Sequence, residues 1–327
     1  MLHKDRKIRS IFIGGGTPTI LPTTQIKKLI DQVKANSDIG RNIEITIEAN
    51  PETVDKQKLL ELKNTGINRF SFGIQTFDDK TLKYLNRAHS SEKAISAIKA
   101  AQDIGLTNIN IDLMFGLPGQ TLEQMINDID KAVVLKPTHI SHYQLTLEPE
   151  TKLAELKPNM PSEELLTEMY SRSRPYLTQL GYSNYETSAF AKPDFECQHN
   201  LNYWKFGDYI GIGAGAHGKQ TTKDGIIRYH KPSDYREYIE AVNNGDARTA
   251  EVLNSSDIIL EFMINAMRLN NGWDKQLFQK RTGLDYSAIE SRINELATSG
   301  LIEIQEDIIG PTAQGRMLLD EILGEFV

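Results

Sequence analysis

The stretch KIRSIFIGGGTPT, residues 7 to 19, joins an apolar segment directly to a glycine-rich turn. The apolar segment ends at Ile13, and Gly14, Gly15 and Gly16 follow without a spacer. Glycines let the backbone approach a ligand closely, and free N–H groups at such a turn suit a carboxylate or a phosphate. The turn is not a P-loop, because the lysine of that motif does not follow it. Taken alone, it is equally well interpreted as a tight structural turn.

Strand and helix patterns alternate from this stretch to about residue 190. The alternation predicts an α/β protein with repeated βα units and a mainly parallel sheet or barrel. The predicted strands are KIRSIFI ending at Ile13, IEITIE at 43 to 48, RFSFGIQ at 69 to 75, NINIDLM at 108 to 114 and HISHYQL at 139 to 145.

Helices are predicted between these strands from the spacing of apolar residues. The spacing is helical from 26 to 33, from 94 to 104 and from 122 to 133. Each segment therefore has one apolar face that can pack on a sheet. The expected N-cap of the first helix is Thr23 or Thr24.

Polar side chains lie at or near the ends of the predicted strands. Glu48 ends the second strand and Gln75 the third, while Asp112 interrupts the apolar fourth strand. A carboxylate there needs a hydrogen-bonding partner or a ligand. For Glu48 alone, a solvated residue before an Asn-Pro turn is the favoured interpretation, whereas Gln75 alone is equally well interpreted as a turn residue and Arg87 as an exposed surface residue. Because a barrel collects its working side chains at the C-terminal ends of its strands, together they predict one crowded site.

Length and composition limit the possible classes of protein. A chain of 327 residues is expected to form a large domain and a smaller one. The net charge of −7 disfavours a nucleic-acid-binding protein, and no apolar run reaches bilayer length. A cytoplasmic location is expected, because no signal-peptide pattern is present. The only cysteine, Cys197, excludes a disulfide framework and any multi-cysteine metal site within these residues.

Three parts are predicted along the chain: a barrel with a functional loop at 1–220, a connecting segment at 221–250 and a C-terminal domain at 251–327. The stretch from 186 to 218 has little periodicity and is predicted to be irregular. The C-terminal domain ends in a helix, hairpin, helix pattern typical of a winged helix. It holds 6 Lys and Arg against 13 Asp and Glu, so a structural or partner-docking role is favoured over DNA binding.

Several motifs appear in the order and spacing of one family. They are GGGTPT at 14 to 19, EANPE at 48 to 52, SFGIQTF at 71 to 77, LNRAH at 85 to 89, DLMFGLPGQT at 112 to 121 and HYQLTLEPET at 142 to 151. In these motifs the chain resembles the coproporphyrinogen oxidase-like branch of the radical SAM superfamily. The segments YETSAFAKP, HNLNYW and GDYIGIGAGAHG are similar to those of the HemW-type heme chaperones in particular.

The resemblance implies a partial (β/α)6 barrel that lacks its first βα unit, with a small, mostly helical, winged-helix-like C-terminal domain. It also implies a pocket for S-adenosyl-L-methionine at the strand ends. The residues it assigns there are Gly14, Gly15, Gly16, Thr17 and Pro18 at the methionyl end, Glu48, Gln75, Arg87 and Asp112 at the ribose and amino-acid portions, and Gly116 at the adenine side.

The family's cluster-binding motif is not found in this sequence. Its members carry CxxxCxxC after the first barrel strand, and these thiolates hold a 4Fe-4S cluster. We expect no such cluster and no radical chemistry from this chain, because histidines and carboxylates do not replace soft thiolates. A truncated gene product is the favoured expectation over a genuine short variant that keeps heme handling.

Because the cluster motif is not found, heme binding is the function of the family that we still expect from the resemblance. His199, between Cys197 and the pair Tyr203 and Trp204, is the expected ligand of the heme iron, because imidazole ligates heme well. Cys197 is a second candidate ligand, and His217 among glycines is a weaker one. Without the resemblance, a loop histidine bonded to backbone is the commoner interpretation.

A heme chaperone would hand its heme to recipient hemoproteins, membrane-bound ones among them, and would itself be no membrane protein. Two other functions stay open. One is the oxidative decarboxylation of coproporphyrinogen III in porphyrin biosynthesis, which needs the missing cysteines. The other is an inactive fragment or interaction module, which would bind neither heme nor S-adenosyl-L-methionine.

Overall fold

The computed structural model of the chain describes residues 6–149, 151–245 and 247–327. It divides into two units, Met1–His199 and Asn200–Val327, and each has its own apolar core.

The first unit alternates strands and helices along most of its length. Its elements are β1 (Lys7–Ile13), α1 (Thr23–Asn36), β2 (Asp38–Ala49), α2 (Lys56–Asn64), β3 (Arg69–Gln75), α3 (Asp79–Tyr84), α4 (Ser91–Asp103), β4 (Ile109–Phe115), α5 (Leu122–Val134), β5 (His139–Gln144), α6 (Lys152–Glu155), α7 (Glu163–Gln179), β6 (Ser183–Glu186) and β7 (Ala189–Ala191). Helix α8 (Gln198–Trp204) follows.

The strands form one sheet in the order β1-β2-β3-β4-β5-β7-β6. The first five strands pair in parallel, and β7 pairs antiparallel with both β5 and β6. Parallel neighbours need crossover connections, which the helices provide. The predicted α/β half-barrel is confirmed.

Side chains of β3 alternate between the two faces of the sheet. Phe70, Phe72 and Ile74 are fully buried in the apolar core. Arg69 and Ser71 alternate with them and therefore lie on the opposite face, because successive strand residues point to opposite sides. This second face, which we call the inner face, also carries Asn110 and Asp112 of β4, because Asn110 pairs with Ser71 and Asp112 with Gly73.

Three local predictions were wrong. Strand β2 begins at Asp38, not at 43, because Asp38 and Ile39 pair with the start of β1. The N-cap of α1 is Pro22, whose φ of −58° already suits the turn into a helix. Thr23 lies inside α1, and its hydroxyl donates to Glu61 at 3.0 Å. The stretch predicted to be irregular from 186 contains β7 and α8.

The second unit combines two small sheets with helices. Its elements are β8 (His217–Thr222), β9 (Gly225–His230), α9 (Tyr235–Asn243), β10 (Thr249–Val252), α10 (Ser255–Ala266), β11 (Trp273–Asp274), α11 (Lys275–Thr282), α12 (Ser287–Thr298), β12 (Ile302–Gln305), β13 (Ile308–Pro311), α13 (Ala313–Met317) and α14 (Leu319–Gly324).

Helices α10 to α12 and the sheet β11-β13-β12 have the connectivity of a winged helix, as the C-terminal pattern predicts. The other sheet, β10-β9-β8, includes much of the segment predicted to be a connector at 221–250. The two units divide after His199, whereas the predicted boundary is at 220, because Leu201, Trp204 and Phe206 pack in the core of the second unit. Among the described residues, no helix is long and apolar enough to cross a membrane.

Candidate functional site

The glycine turn after β1 contacts the end of β2. The backbone N–H of Gly15 donates to Glu48 Oε2 at 3.0 Å. Gly15 and Gly16 have φ of +82° and +56°, which L side chains rarely adopt. A Cβ on Gly14 would lie 2.8 Å from the ring of Phe12. The three glycines are exposed, so the turn presents its backbone to solvent beside a carboxylate.

The next residues anchor this turn to the sheet. Pro18 and Thr19 are buried, and Thr17 precedes the 3-10 helix Pro18–Ile20. The hydroxyls of Thr19 and Thr53 lie 2.6 Å apart, which ties the turn to the loop after β2. Pro18 therefore has a packing role that needs no ligand.

Glu48 and Asp112 are two carboxyl groups on the inner face. Burial raises the pKa of Glu48, the bond from Gly15 opposes this rise, and the charge of Asp112 adds to it. Burial also raises the pKa of Asp112, against the hydrogen bond from Asn110. The side chain of Asn110 donates to Asp112 Oδ1 at 2.7 Å, and the hydroxyl of Ser71 donates to Asp112 Oδ2 at 3.3 Å, so the predicted need of Asp112 for partners is met.

Gln75 adopts an unusual backbone conformation at the end of β3. Its φ is +73°, and the side chain is 5% exposed. The hydroxyl of Tyr143 on β5 donates to Gln75 Oε1 at 2.8 Å. Burial raises the pKa of Tyr143, and the charge of Asp112 raises it further, so Gln75, Tyr143 and Asp112 belong to one cluster.

Arg87 and Gly116 complete the set predicted from the resemblance. Arg87 is exposed after α3, and its charge lowers the pKa of Tyr143 against the effect of burial. Gly116 has φ of +71°, and a Cβ there would lie 2.7 Å from Leu166 Cδ2. The predicted polar residues thus share one end of the sheet, where the parallel strands finish.

His199 lies in α8, not in the polar loop that was predicted for it. Its ring stacks on Phe12 with centroids 4.7 Å apart, and its Nδ1 lies 3.4 Å from Ser10 Oγ. The carboxylate of Glu44 accepts from the backbone N–H groups of Gln198 and His199, both at 3.1 Å, and so holds the start of the helix.

Burial is the main cause that lowers the pKa of His199 to about 4, and the positive charge of Arg69 lowers it further. The imidazole is therefore neutral near pH 7. A neutral imidazole is the form that ligates a metal. Cys197 is fully buried, and its Sγ lies 3.6 Å from Glu44 Oε1.

Several inner-face residues were not predicted from the sequence: Glu44, Thr46, Arg69, His139 and Tyr143. Polar residues that interrupt apolar strands were available as a signal, and the same signal identified Asp112. In the second unit, His217 lines a cavity of about 390 Å³ together with Arg228 and His230.

The residues fit a 4Fe-4S cluster poorly. Such a cluster takes several thiolates, and the sequence holds one cysteine. Within 6–149, 151–245 and 247–327, no group of three or more His, Cys, Asp or Glu side chains is arranged to hold a metal ion.

Comparison with known proteins finds two family models in this chain. The radical SAM superfamily model matches residues 1–132, and the HemN C-terminal domain model matches residues 253–318.

The heme chaperone HemW of Buchnera aphidicola subsp. Acyrthosiphon pisum is 41% identical over 327 residues, which cover 100% of this chain and 86% of that protein. The heme chaperone HemW of Escherichia coli (strain K12) is 40% identical and aligns with 98% of this chain and 85% of its own length. The solved coproporphyrinogen III oxidase (HemN) of Escherichia coli, a radical SAM enzyme, superposes with a TM-score of 0.81 at 26% identity, covering 98% of this chain and 78% of that chain.

Proposed function

The chain belongs to the heme chaperone HemW family, and from this membership we propose that it binds heme as cargo and passes it to recipient hemoproteins. The observation that carries the proposal is the identity of about 40% to heme chaperones over nearly the whole chain. Transfer needs no bond in the heme to be made or broken. The recipients, membrane-bound ones among them, and the cytoplasmic location stay predictions.

We propose His199 as the ligand of the heme iron. Three contacts support this choice: the ring is stacked on Phe12, its Nδ1 faces Ser10, and Glu44 holds the backbone beside it. A histidine whose orientation is set by its neighbours binds a metal with less loss of freedom. Cys197 remains a second candidate, although its burial leaves less access to a large ligand.

We further propose that S-adenosyl-L-methionine binds where the parallel strands end. The exposed turn of Gly14 to Gly16 holds its backbone beside Glu48 through the bond from Gly15, and Glu48 and Asp112 offer carboxylate acceptors for ribose hydroxyls. Thr17, Pro18, Gln75, Arg87 and Gly116 complete the proposed pocket. In radical SAM proteins this molecule is the source of the 5'-deoxyadenosyl group. The chain's own residues bind and orient it.

Coproporphyrinogen oxidation is the weaker alternative. The solved oxidase is 26% identical, whereas the heme chaperones reach 40% and 41%. The reaction also needs a cluster for which these residues lack the thiolates. A pure interaction module, the other alternative, predicts no heme binding.

Titration of the chain with heme, followed in the Soret band, tests the proposal. We expect saturable binding by the wild type and a loss of affinity of more than roughly a hundredfold in His199→Ala, because losing only a group that hydrogen-bonds to a ligand already costs roughly ten- to hundredfold. His230→Ala is the matched control, because His230 is an exposed histidine of the second unit.

Circular dichroism of each variant shows whether the fold is kept. Equal affinities of wild type and His199→Ala would refute the assignment of the iron ligand. Failure of the wild type to bind heme at all would refute the chaperone function of this chain.

A further inference from the structure

Arg69, the first residue of β3, is a buried cation. The residue is 2% exposed, and its Nε has no hydrogen-bond partner among the described residues. None of the ion pairs found in the described part of the chain includes it. Burying a charge without a partner costs several kcal/mol or more, so such a group points to a missing ligand.

Thr46 on β2 pairs in register with Arg69, and it too has a buried polar atom without a hydrogen-bond partner among the described residues. Thr46 is fully buried, and its Oγ1 has no hydrogen-bond partner among the residues that the structure describes. Native proteins satisfy most buried polar atoms, and one ligand that lies between these two register partners would satisfy both.

The guanidinium has no carboxylate within ion-pair distance among the described residues, although its charge reaches Asp112 and lowers the pKa of that carboxyl against the larger effect of burial. His139 has a pKa well below its usual range, because it is buried, and the charge of Arg69 adds to that effect. Glu44, two residues before Thr46 on the same face, already accepts from two backbone N–H groups of α8. An anion that enters this region would therefore find an available cation.

We infer that Arg69 and Thr46 bind a carboxylate, and that this carboxylate is a propionate of the porphyrin cargo. The planar guanidinium matches a carboxylate with two parallel hydrogen bonds, and the hydroxyl adds a third donor. The inference rests on the proposed function, and it extends the cargo site from the iron to the propionate.

The register of the sheet favours the propionate. Phe12 pairs with Thr46 and Thr46 with Arg69, so the three residues lie on one line across β1, β2 and β3. Two strand spacings separate the ends of this line by roughly 10 Å. Since His199 stacks on Phe12, the proposed iron ligand lies at one end of this line and Arg69 at the other, as the iron at the centre of a porphyrin and a propionate at its edge require.

The amino-acid carboxylate of S-adenosyl-L-methionine is the other source of the same chemistry. Its proposed pocket includes Gln75, the last residue of β3, whereas Arg69 is the first. A strand of seven residues separates its ends by roughly 20 Å. Arg69 is thus at the far end of β3 from Gln75, although its charge reaches Asp112 of that pocket and lowers the pKa of its carboxyl against the larger effect of burial.

The test compares metal-free protoporphyrin IX with its dimethyl ester by fluorescence titration of the full chain. Without iron, binding does not depend on His199, and the ester removes only the carboxylates. We expect the wild type to prefer the free acid by roughly ten- to hundredfold, and Arg69→Gln to lose the preference.

Two further variants keep the test decisive. Thr46→Val removes only an unsatisfied hydroxyl, so it should fold at least as well as the wild type while its preference falls several-fold. Arg172→Gln is the matched charge control, because its side chain is 68% exposed and pairs with Glu168 at 3.8 Å. Its preference should equal that of the wild type.

Each outcome has a separate meaning. If the wild type binds heme through His199 but shows no preference for the free acid, the proposed function stands and this inference fails, with water as the partner of Arg69. Loss of S-adenosyl-L-methionine binding in Arg69→Gln, with the porphyrin preference intact, would also overturn it. Binding of neither porphyrin nor heme by the wild type would overturn both proposals.

Discussion

His142 on β5 is a buried histidine whose charge state depends on folding. It is 5% exposed and stacks on Phe115 with ring centroids 4.9 Å apart. Burial, and then the charge of Arg174, lowers its pKa to about 3. The unfolded chain binds a proton near pH 6.5, whereas the folded chain does not. The contribution of His142 to the free energy of unfolding is therefore fully present above pH 6.5 and is lost as the pH falls towards 3.

We predict that His142→Phe flattens this dependence. Between about pH 6 and pH 4, the free energy of unfolding of the wild type should fall more steeply than that of the variant, by up to about 1.4 kcal/mol per pH unit. Urea unfolding followed by circular dichroism at several pH values measures both slopes. Phe115→Leu is the control, because it disturbs the same ring stack and removes no titrating group. Equal slopes in wild type and His142→Phe would contradict the prediction.

Helix α5 shows how an element begins at a defined residue. The Thr121 hydroxyl accepts from the backbone N–H of Gln124 at 3.2 Å, and the Gln124 side chain accepts from the backbone N–H of Thr121 at 2.8 Å. This capping box satisfies two of the free N–H groups at the start of the helix. We predict that Thr121→Ala lowers the free energy of unfolding by about 1 kcal/mol.

Thermal unfolding of Thr121→Ala and of Thr107→Ala checks this prediction. Thr107 is an exposed threonine outside the helices, so its substitution should change stability by less than about 0.5 kcal/mol. A Thr121→Ala variant as stable as Thr107→Ala would show that the capping box contributes nothing to stability.

Apolar spacing predicted the position of α5 but not the cap of α1. A cap depends on how the chain enters the helix, and Pro22 already sets that entry.

At the scale of the whole molecule, the winged-helix connectivity of the second unit suggests DNA binding, whereas its charge opposes it. Residues 251–327 hold 6 basic and 13 acidic side chains, a net charge of −7. On α12, Glu290 and Glu295 are exposed beside the single Arg292. We predict no saturable binding of the full chain to duplex DNA at low salt, because phosphate binding needs clustered cations.

Fluorescence anisotropy of a labelled duplex, titrated with the chain, measures the binding to DNA. A double variant, Glu290→Lys with Glu295→Lys, should gain weak binding that disappears as salt rises, which proves that the assay detects such contacts. Salt-sensitive binding by the wild type itself would contradict the prediction and would return the winged helix to the candidates for nucleic-acid contact.

Much of the first unit could be predicted from local patterns. The bounds of β1 and β3 agree with the predicted strands, and Glu48, Gln75 and Asp112 lie together at the end of the sheet, as strand-end residues should. Helix α8 could not be predicted, because it has only seven residues and no buried residue to give it an apolar period. For the same reason His199 was placed in a loop.

The amino-acid sequence by itself determined the order of strands and helices, the acidic balance and the single cysteine, because each depends only on composition or on neighbours along the chain. Only the tertiary structure decided that Phe12, Thr46 and Arg69 share one line of the sheet and that His199 reaches it. That line depends on the register of parallel strands joined by long crossovers. Packing of the whole core sets this register, and no local pattern contains it.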